Sequence, residues 1–299
     1  METLKNKIDF AVVFSVKGAN PNGDPLNGNR PRTNYDGLGE LSDVCIKRKI
    51  RNRLMEMKNE KGKYLYSVFV QSDDNKLDDY PSLRARAEGE LEKEQWKNEK
   101  IFHEAVCKKW IDVRAFGQVF AYGSEKKGGG VSVGVRGPVS IHSAFSVTPV
   151  SVSSIQITKS VSGEGDGTKK ASDTMGMKHR VDHGVYVSYG AINPQLASKT
   201  CFKDEDAPAI KNALEHLFDN DASSARPEGS MEVVAVIWWK HNCNNGQYSS
   251  AVVHRSLNVD LKKEVTDPKK IDDYLIKLKH LPGLEHEIFN PNNVVIERI

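Results

Sequence analysis

The chain has 299 residues, 38% of them hydrophobic and 28% charged, and a formal net charge of +3. This composition is typical of a globular protein with one large or two modest domains, and so small a net charge does not by itself indicate a nucleic-acid partner. The four cysteines form no CxxC pair, which argues against a zinc ribbon and a secreted disulfide framework. The first ten residues resemble no signal peptide and the longest apolar run, VVAVIWW, is too short to span a membrane, so we expect a cytoplasmic protein without membrane contact.

The first apolar segment, Ile8 to Val16, has the length and β-branched content of a buried strand. It leads directly into an opening loop, GANPNGDPLNGNRPR (residues 18–32), whose Gly, Pro, Asn and Asp residues exclude helix and central strand. Glycines let backbone N–H groups approach a bound phosphate closely, although the same composition also fits a surface loop without a ligand. The polar and cationic side chains that could take part are Lys17, Asn20, Asn22, Arg30 and Arg32.

An amphipathic helix is predicted in LSDVCIKRKIRNRLMEMK, residues 41–58, with Ser42 as its N-cap. Its apolar stripe comprises Ile46, Ile50, Leu54 and Met57. Its cations Lys47, Arg48 and Arg51 fall on a neighbouring arc. Cations on a rigid helix can contact successive phosphates, and a solvated helix face is the alternative. Because this arc follows a loop with two arginines, we favour nucleic acid.

Residues 59–110 are rich in Lys, Glu and Asp with scattered aromatic residues, and we predict a largely helical insertion that packs as a side lobe. The core resumes with DVRAFGQVFAYG, residues 112–123, in which RAFGQVF echoes the RNP1 motif of RNA-recognition-motif proteins. Ala115 and Gln118 replace a glycine and a stacking aromatic residue of that motif. Base stacking on the sheet is therefore not predicted.

Residues 131–147 alternate like a strand that Gly134, Gly137 and Pro138 interrupt. The glycine-rich stretch 128–137 holds one cation, Arg136, and is either a second phosphate contact or a glycine-kinked strand. Residues 148–182 are small and polar around GEGDGTKK, which predicts a long protruding hairpin.

The remaining elements are two strands and two helices. HGVYVSYGAI (183–192) is predicted as a strand, and DAPAIKNALEHLF (206–218) as a helix with Pro208 in its first turn. MEVVAVIWWK (231–240) is apolar on both faces, as expected of a central strand, and a short helix is predicted near Asp267 to Lys279.

Without its insertions the chain has the order β-α-β-β-α-β, which predicts a single α+β domain over residues 1–299 with a ferredoxin-like pattern. This pattern is shared by the RNA-recognition-motif fold. Both helices are then expected on one face of an antiparallel sheet. The other face is expected to be free and to be served by the opening loop and the hairpin.

Two motifs raise the question of metal binding and catalysis. In HRVDH, His179 and His183 would share one face of a strand, but Arg180 opposes a metal, so we prefer paired surface imidazoles with possible nucleic-acid contact. Asp24 is the only acid of the opening loop and either activates a ribose hydroxyl, holds a metal or caps a turn. No GxSxG elbow or credible Cys–His pair is present, so we expect neither enzyme activity nor a cofactor.

NPNGDPLNGNRPR and the following GLGELSDVCIKRKIRNRL closely resemble the repeated backbone subunit of CRISPR type I-C surveillance complexes (Cascade), and the resemblance extends over essentially the whole chain. It implies a hand-shaped protein with a modified RNA-recognition-motif palm, residues 59–110 as a helical finger insertion and residues 148–182 as a protruding thumb hairpin. Copies would polymerise head to tail along CRISPR RNA, each thumb displacing one nucleotide of the guide. The implied partners are the other Cascade subunits, target DNA paired to the guide, and a recruited helicase-nuclease.

The resemblance also implies roles for individual residues. The opening loop and the cationic arc of the helix would form the groove for guide phosphates. The residues expected to line the palm are Arg114, Gln118 and Arg136, and those expected on the thumb are Met175 as a wedge between bases and Lys178 and His179 near the backbone. Backbone subunits of type III complexes instead cleave RNA with a loop aspartate, so a metal-dependent endoribonuclease using Asp24 is the alternative.

Overall fold

A computed structural model describes residues 2–122, 131–160 and 175–299. The strands are β1 (Ile8–Ala19), β2 (Gly23–Asp24), β3 (Arg30–Pro31), β4 (Leu38–Leu41), β5 (Gln118–Tyr122), β6 (Val131–Val135), β7 (Val139–Ile141), β8 (Ala144–Pro149), β9 (Val152–Thr158), β10 (Met175–Ile192), β11 (Met231–Lys240), β12 (Leu257–Leu261), β13 (Tyr274–Leu278), β14 (Glu285–Phe289) and β15 (Ile296–Arg298). The helices are α1 (Asp43–Glu56), α2 (Leu83–Glu90), α3 (Glu99–Lys109), α4 (Ile111–Phe116), α5 (Pro194–Thr200), α6 (Asp206–Glu215) and α7 (Ser250–His254). Across these described ranges, no helix is long and apolar enough to cross a membrane.

The main sheet has eight strands among the described residues, with the order β14-β11-β1-β10-β8-β4, while β7 and β9 also pair with β10. β1 is antiparallel to both of its neighbours, with Val12 opposite Ser188 on β10 and Val236 on β11. β1 is buried from Ile8 to Val16. Continuous apolar runs are expected where both faces of a strand are covered. The predicted first and central strands are thus confirmed.

One face of the sheet is covered by α1 and α6, as predicted. Phe10, Val12 and Phe14 of β1 belong to one buried cluster with the apolar stripes of both helices. Ser42 caps α1, because its hydroxyl accepts a hydrogen bond from the Cys45 N–H. The helix predicted over residues 206–218 is present as α6.

The expectation of a free opposite face was wrong. A second sheet, with the order β12-β13-β15, covers that face together with α7. Ala11 and Val13 of β1 share a buried cluster with Leu257 and Ile276 of this second sheet. The helix predicted near residues 267–279 was also wrong, because Tyr274–Leu278 form β13 with alternate side chains buried.

A side lobe with its own core is formed by residues of the insertion 59–110, but its helices begin only at Leu83. Phe69, Phe102 and Trp110 are buried together with Phe120 and Val133 of the β5–β6 hairpin. The lobe core therefore extends beyond the predicted end at residue 110. Residues 111–116 form α4 instead of resuming the main sheet, so the RNP1-like stretch crosses from a helix into an outlying hairpin.

The two arms of a long hairpin, residues 152–158 and 175–181, are formed by β9 and the first part of β10, with Val152 opposite Val181 and Thr158 opposite Met175. Its arms lie within the hairpin predicted over residues 148–182. The predicted tip GEGDGTKK and the turn SEKKGGG both lie outside the described residues.

Candidate nucleic-acid interface

The opening loop folds into a small hairpin in which β2 pairs with β3. Asp24 caps the turn between these strands, because its carboxylate accepts from the Leu26 N–H at 3.2 Å and its carbonyl accepts from the Asn29 N–H at 2.8 Å. The Arg32 guanidinium lies 3.5 Å from the Asp24 carboxylate. Of the three roles considered for Asp24, the geometry shows turn capping.

Two of the predicted amide ligands support the loop itself. The Asn20 side chain is buried and donates to the Asn29 carbonyl at 2.7 Å. The Asn22 side-chain oxygen accepts from both the backbone N–H and the hydroxyl of Ser42, at 3.0 and 2.8 Å. Asn22 therefore ties the loop to the first turn of α1, and both amides position the loop's backbone. Their contact with RNA stays a prediction.

Cations of the loop remain available at its surface. Arg30 and Lys17 are exposed, and Lys17 lies opposite His183 of β10. β3 packs against β10, the strand that continues into the long hairpin. The loop and the hairpin are thereby brought together on one part of the molecule.

The three cations of α1 that were predicted to contact phosphates have partners within the protein. Lys47 contacts Asp43 at 2.9 Å, the Arg48 guanidinium donates to the Val70 carbonyl at 2.6 Å, and Arg51 pairs with Asp112 at 2.9 Å. Burial, followed by the nearby Arg51 charge, lowers the pKa of Arg48. Arg48 and Arg51 thus fasten α1 to the side lobe. Phosphate binding by these three residues stays a prediction.

Asp112 holds this junction together. Its fully buried carboxylate accepts from the N–H groups of Phe69 and Val70, at 2.7 and 3.0 Å, in addition to Arg51. A buried carboxylate with several donors is fully satisfied in its charged form. No local sequence pattern indicates this role, because the donors come from two distant segments.

The residues predicted to line the palm have different environments. Arg114 makes a bidentate, buried ion pair with Asp206 at the start of α6, at 2.7 and 2.9 Å. The Gln118 amide donates to the Val119 carbonyl at 3.1 Å. Arg136 is exposed between β6 and β7. Arg114 therefore links α4 to α6, and of these three residues Arg136 is the most open to a ligand.

The long hairpin carries exposed apolar side chains near the point where its described part ends. Met175 and Met177 are 65% and 55% exposed, and Ile155 and Ile157 on β9 are also exposed. Lys178 is half-buried opposite Ile155. Because side chains alternate along a strand, Met175 and Met177 lie on one face of the hairpin, and Lys178 lies on the other face with Ile155 and Ile157. The hairpin therefore offers apolar contact area on both faces and the Lys178 charge on one.

The prediction that HRVDH presents paired surface imidazoles was wrong. His179 and His183 are both buried, and the His179 ring contacts the Ser154 hydroxyl at 2.8 Å. Burial lowers the pKa of His183, which favours a neutral ring. Within the described ranges, no group of three or more His, Cys, Asp or Glu side chains could hold a metal ion.

A buried polar cluster outside the interface was not predicted. Asp9 of β1 contacts Lys7, His241 and His254 at 3.2, 2.9 and 3.4 Å. Burial alone would raise the pKa of Asp9, but hydrogen bonds from the two histidines and the Lys7 charge hold it well below its usual range. The available signal was an aspartate inside an apolar strand.

Comparison with known proteins identifies the family. Residues 6–279 match the family described as CRISPR-associated protein Cas7. The chain belongs to this family, and the family resemblance seen in the sequence is confirmed. A curated relative, the CRISPR-associated protein Cas7 of Haloferax volcanii, is 21% identical over 235 residues, which cover 74% of this chain and 67% of the relative.

Two solved structures are also similar. A chain of a "CRISPR RNA-guided surveillance complex, pre-nicking" has a TM-score of 0.46 and 16% identity over 78% of this chain and 75% of that one. A chain of a "CRISPR RNA-guided surveillance complex" has a TM-score of 0.48 and 14% identity over 98% of this chain and 94% of that one.

Proposed function

We propose that this Cas7-family protein binds CRISPR RNA and assembles head to tail along it as the backbone of a type I-C Cascade complex. In this role it presents the guide for base pairing with target DNA, in contact with the other Cascade subunits. Cleavage of the target is left to a recruited helicase-nuclease. The protein itself is proposed to be cytoplasmic and to catalyse no reaction.

The observation that carries this proposal is the packing of β3 against β10. It joins the opening loop, with exposed Arg30, to the strand whose N-terminal end carries Met175 and Lys178 in the long hairpin. Arginine and lysine bind phosphates without selecting a base sequence, as a protein must when base pairing supplies the specificity. The exposed methionines suit a wedge that replaces the stacking lost by a displaced base.

A ferredoxin-like palm is part of the proposal. β1, α1, β8, β10, α6 and β11 follow one another in the β-α-β-β-α-β order. The neighbours in the sheet are β11, β1, β10 and β8, and both helices pack on one face. These features support the predicted palm, to which the second sheet is an addition.

The endoribonuclease alternative rests on Asp24. That carboxylate already accepts from the Leu26 N–H and faces the Arg32 guanidinium. A cation at this distance competes with a metal ion for the carboxylate. The geometry therefore favours a turn cap over a catalytic group, and the wild type should leave a labelled RNA intact in the presence of a divalent metal. Metal-dependent cleavage by the wild type that is lost in Asp24→Ala would support the alternative.

The groove assignment is tested by replacing Lys17, Arg30 and Lys178 together with alanine. Each lost phosphate contact should weaken binding of a labelled single-stranded RNA and reduce the slope of log Kd against log salt by roughly one. Anisotropy titrations over a range of salt concentrations measure both quantities.

The matched control removes the same charge from the side lobe, by replacing the exposed Lys93, Lys100 and Lys108 with alanine. This control should keep nearly the wild-type affinity and slope. Equal losses in the two triple variants would reject a defined groove at the opening loop.

A further inference from the structure

Tyr35 is a fully exposed aromatic side chain next to the opening loop. Across the described parts of the chain, no hydrogen bond or ring contact involves its side chain. Both faces of the ring are therefore open. An exposed aromatic ring near arginines is the combination that single-stranded nucleic-acid sites use for base stacking.

The turn that carries Tyr35 is held by several hydrogen bonds. The Asn34 side chain accepts from the Asp36 and Leu38 N–H groups, at 3.0 and 2.9 Å. The Asn34 N–H donates to the Leu38 carbonyl at 2.9 Å, which closes the turn. Gly37 adopts a φ of 77°, a conformation that other residues rarely adopt. The backbone that carries the ring is thus held in place, which lowers the backbone entropy lost on binding.

The same turn is fastened to the base of the long hairpin. Leu38 pairs with Pro149, and the Val150 N–H donates to the Gly37 carbonyl at 3.1 Å. On its other side the turn continues from Arg32, whose carbonyl accepts from the Glu40 N–H at 2.9 Å. Tyr35 therefore lies in the segment that connects the opening loop to the hairpin.

The surroundings favour a base over a phosphate or a protein partner. Thr33, Asn34 and Asp36 are polar, so Tyr35 lacks the apolar neighbours that form the core of a protein interface. The Asp36 carboxylate repels a phosphate at this point. A neutral nucleobase needs no apolar neighbours around the ring and is not repelled by the Asp36 carboxylate. The nearby Arg30 and Arg32 can hold the adjoining nucleic-acid backbone.

We infer that Tyr35 stacks on an unpaired base of the bound RNA and sets the position of the guide between the opening loop and the long hairpin. This inference rests on the proposed RNA binding. It assigns to Tyr35 a contact that adds affinity without adding charge.

The test compares Tyr35→Ala, Tyr35→Phe and the wild type in anisotropy titrations with a fluorescein-labelled single-stranded RNA. Tyr35→Ala should weaken binding about 5- to 150-fold, the range expected for one lost base stack, while the salt slope stays at the wild-type value. Tyr35→Phe should bind like the wild type. Val295→Ala, which removes an exposed aliphatic side chain outside the opening loop and the long hairpin, is the control and should change nothing.

An abasic RNA of the same length separates stacking from other contacts. With this probe, Tyr35→Ala and the wild type should bind equally. Equal binding of Tyr35→Ala and the wild type to the base-containing RNA would overturn the inference alone, whereas a wild type that binds neither RNA would overturn the proposed function as well. Loss of self-association by Tyr35→Ala without RNA would place the ring in a protein contact and also overturn the inference.

Discussion

Individual buried carboxylates hold individual arginine side chains in place in this protein. Asp112 holds Arg51, Asp206 holds Arg114, and in each case the two partners come from segments distant in sequence. Three arginines predicted as RNA ligands therefore differ from Arg30, because Arg48, Arg51 and Arg114 already have internal partners. Charge counted along a sequence cannot distinguish these cases, since the partner is known only once the chain is folded.

Replacing Asp112 with alanine should lower the free energy of unfolding by about 3–5 kcal/mol. The change leaves the half-buried Arg51 unpaired and removes the acceptor of two backbone N–H groups. Urea denaturation followed by circular dichroism measures this loss. Asp73→Ala, at an exposed carboxylate of the same insertion, should stay within about 0.5 kcal/mol of the wild type, and a similar loss in both variants would contradict the assigned role.

Among the helices and strands, those with a clear hydrophobic periodicity or a capping residue were predicted correctly from the sequence. The apolar stripe and Ser42 locate α1, and the continuous apolar runs locate β1 and β11. β13 was mistaken for a helix because the strand has only five residues and charged residues flank it in the sequence. α4 was missed because a six-residue helix shows less than two turns of pattern.

β10 offers a paired test of its packing at two glycines. A Cβ at Gly190 would lie 2.2 Å from the Phe10 ring and 2.6 Å from the Ser140 carbonyl, whereas one at Gly176 would lie 3.5 Å from Ile157. Gly190→Ala should therefore destabilise the protein by about 1–3 kcal/mol through overpacking, and Gly176→Ala should be tolerated. Thermal unfolding of both variants measures the difference. Equal midpoints would mean that β1 and β10 do not pack as closely as described.

For the whole molecule, the second sheet was the largest feature that the sequence did not reveal. Its apolar residues cover a face of the main sheet that includes β1, which lies more than 200 positions earlier in the sequence. No local pattern specifies that contact. The location of the candidate interface was more predictable, because glycine, proline and asparagine mark the opening loop and small polar residues mark the hairpin. The roles of Asn20 and Asn22 within the loop were not predictable, since a side-chain amide can form the same hydrogen bonds with the protein backbone or with a ligand.

The central claim is that this Cas7-family protein assembles on a guide RNA. The most direct measurement is to express it with a CRISPR array and the other subunits of its complex, purify it, and compare the absorbance ratio at the nucleic-acid and protein maxima before and after ribonuclease treatment. A protein that assembles on a guide should purify as a large assembly with a high ratio and RNA of uniform length. A monomer with the absorbance ratio of protein alone would contradict the central claim.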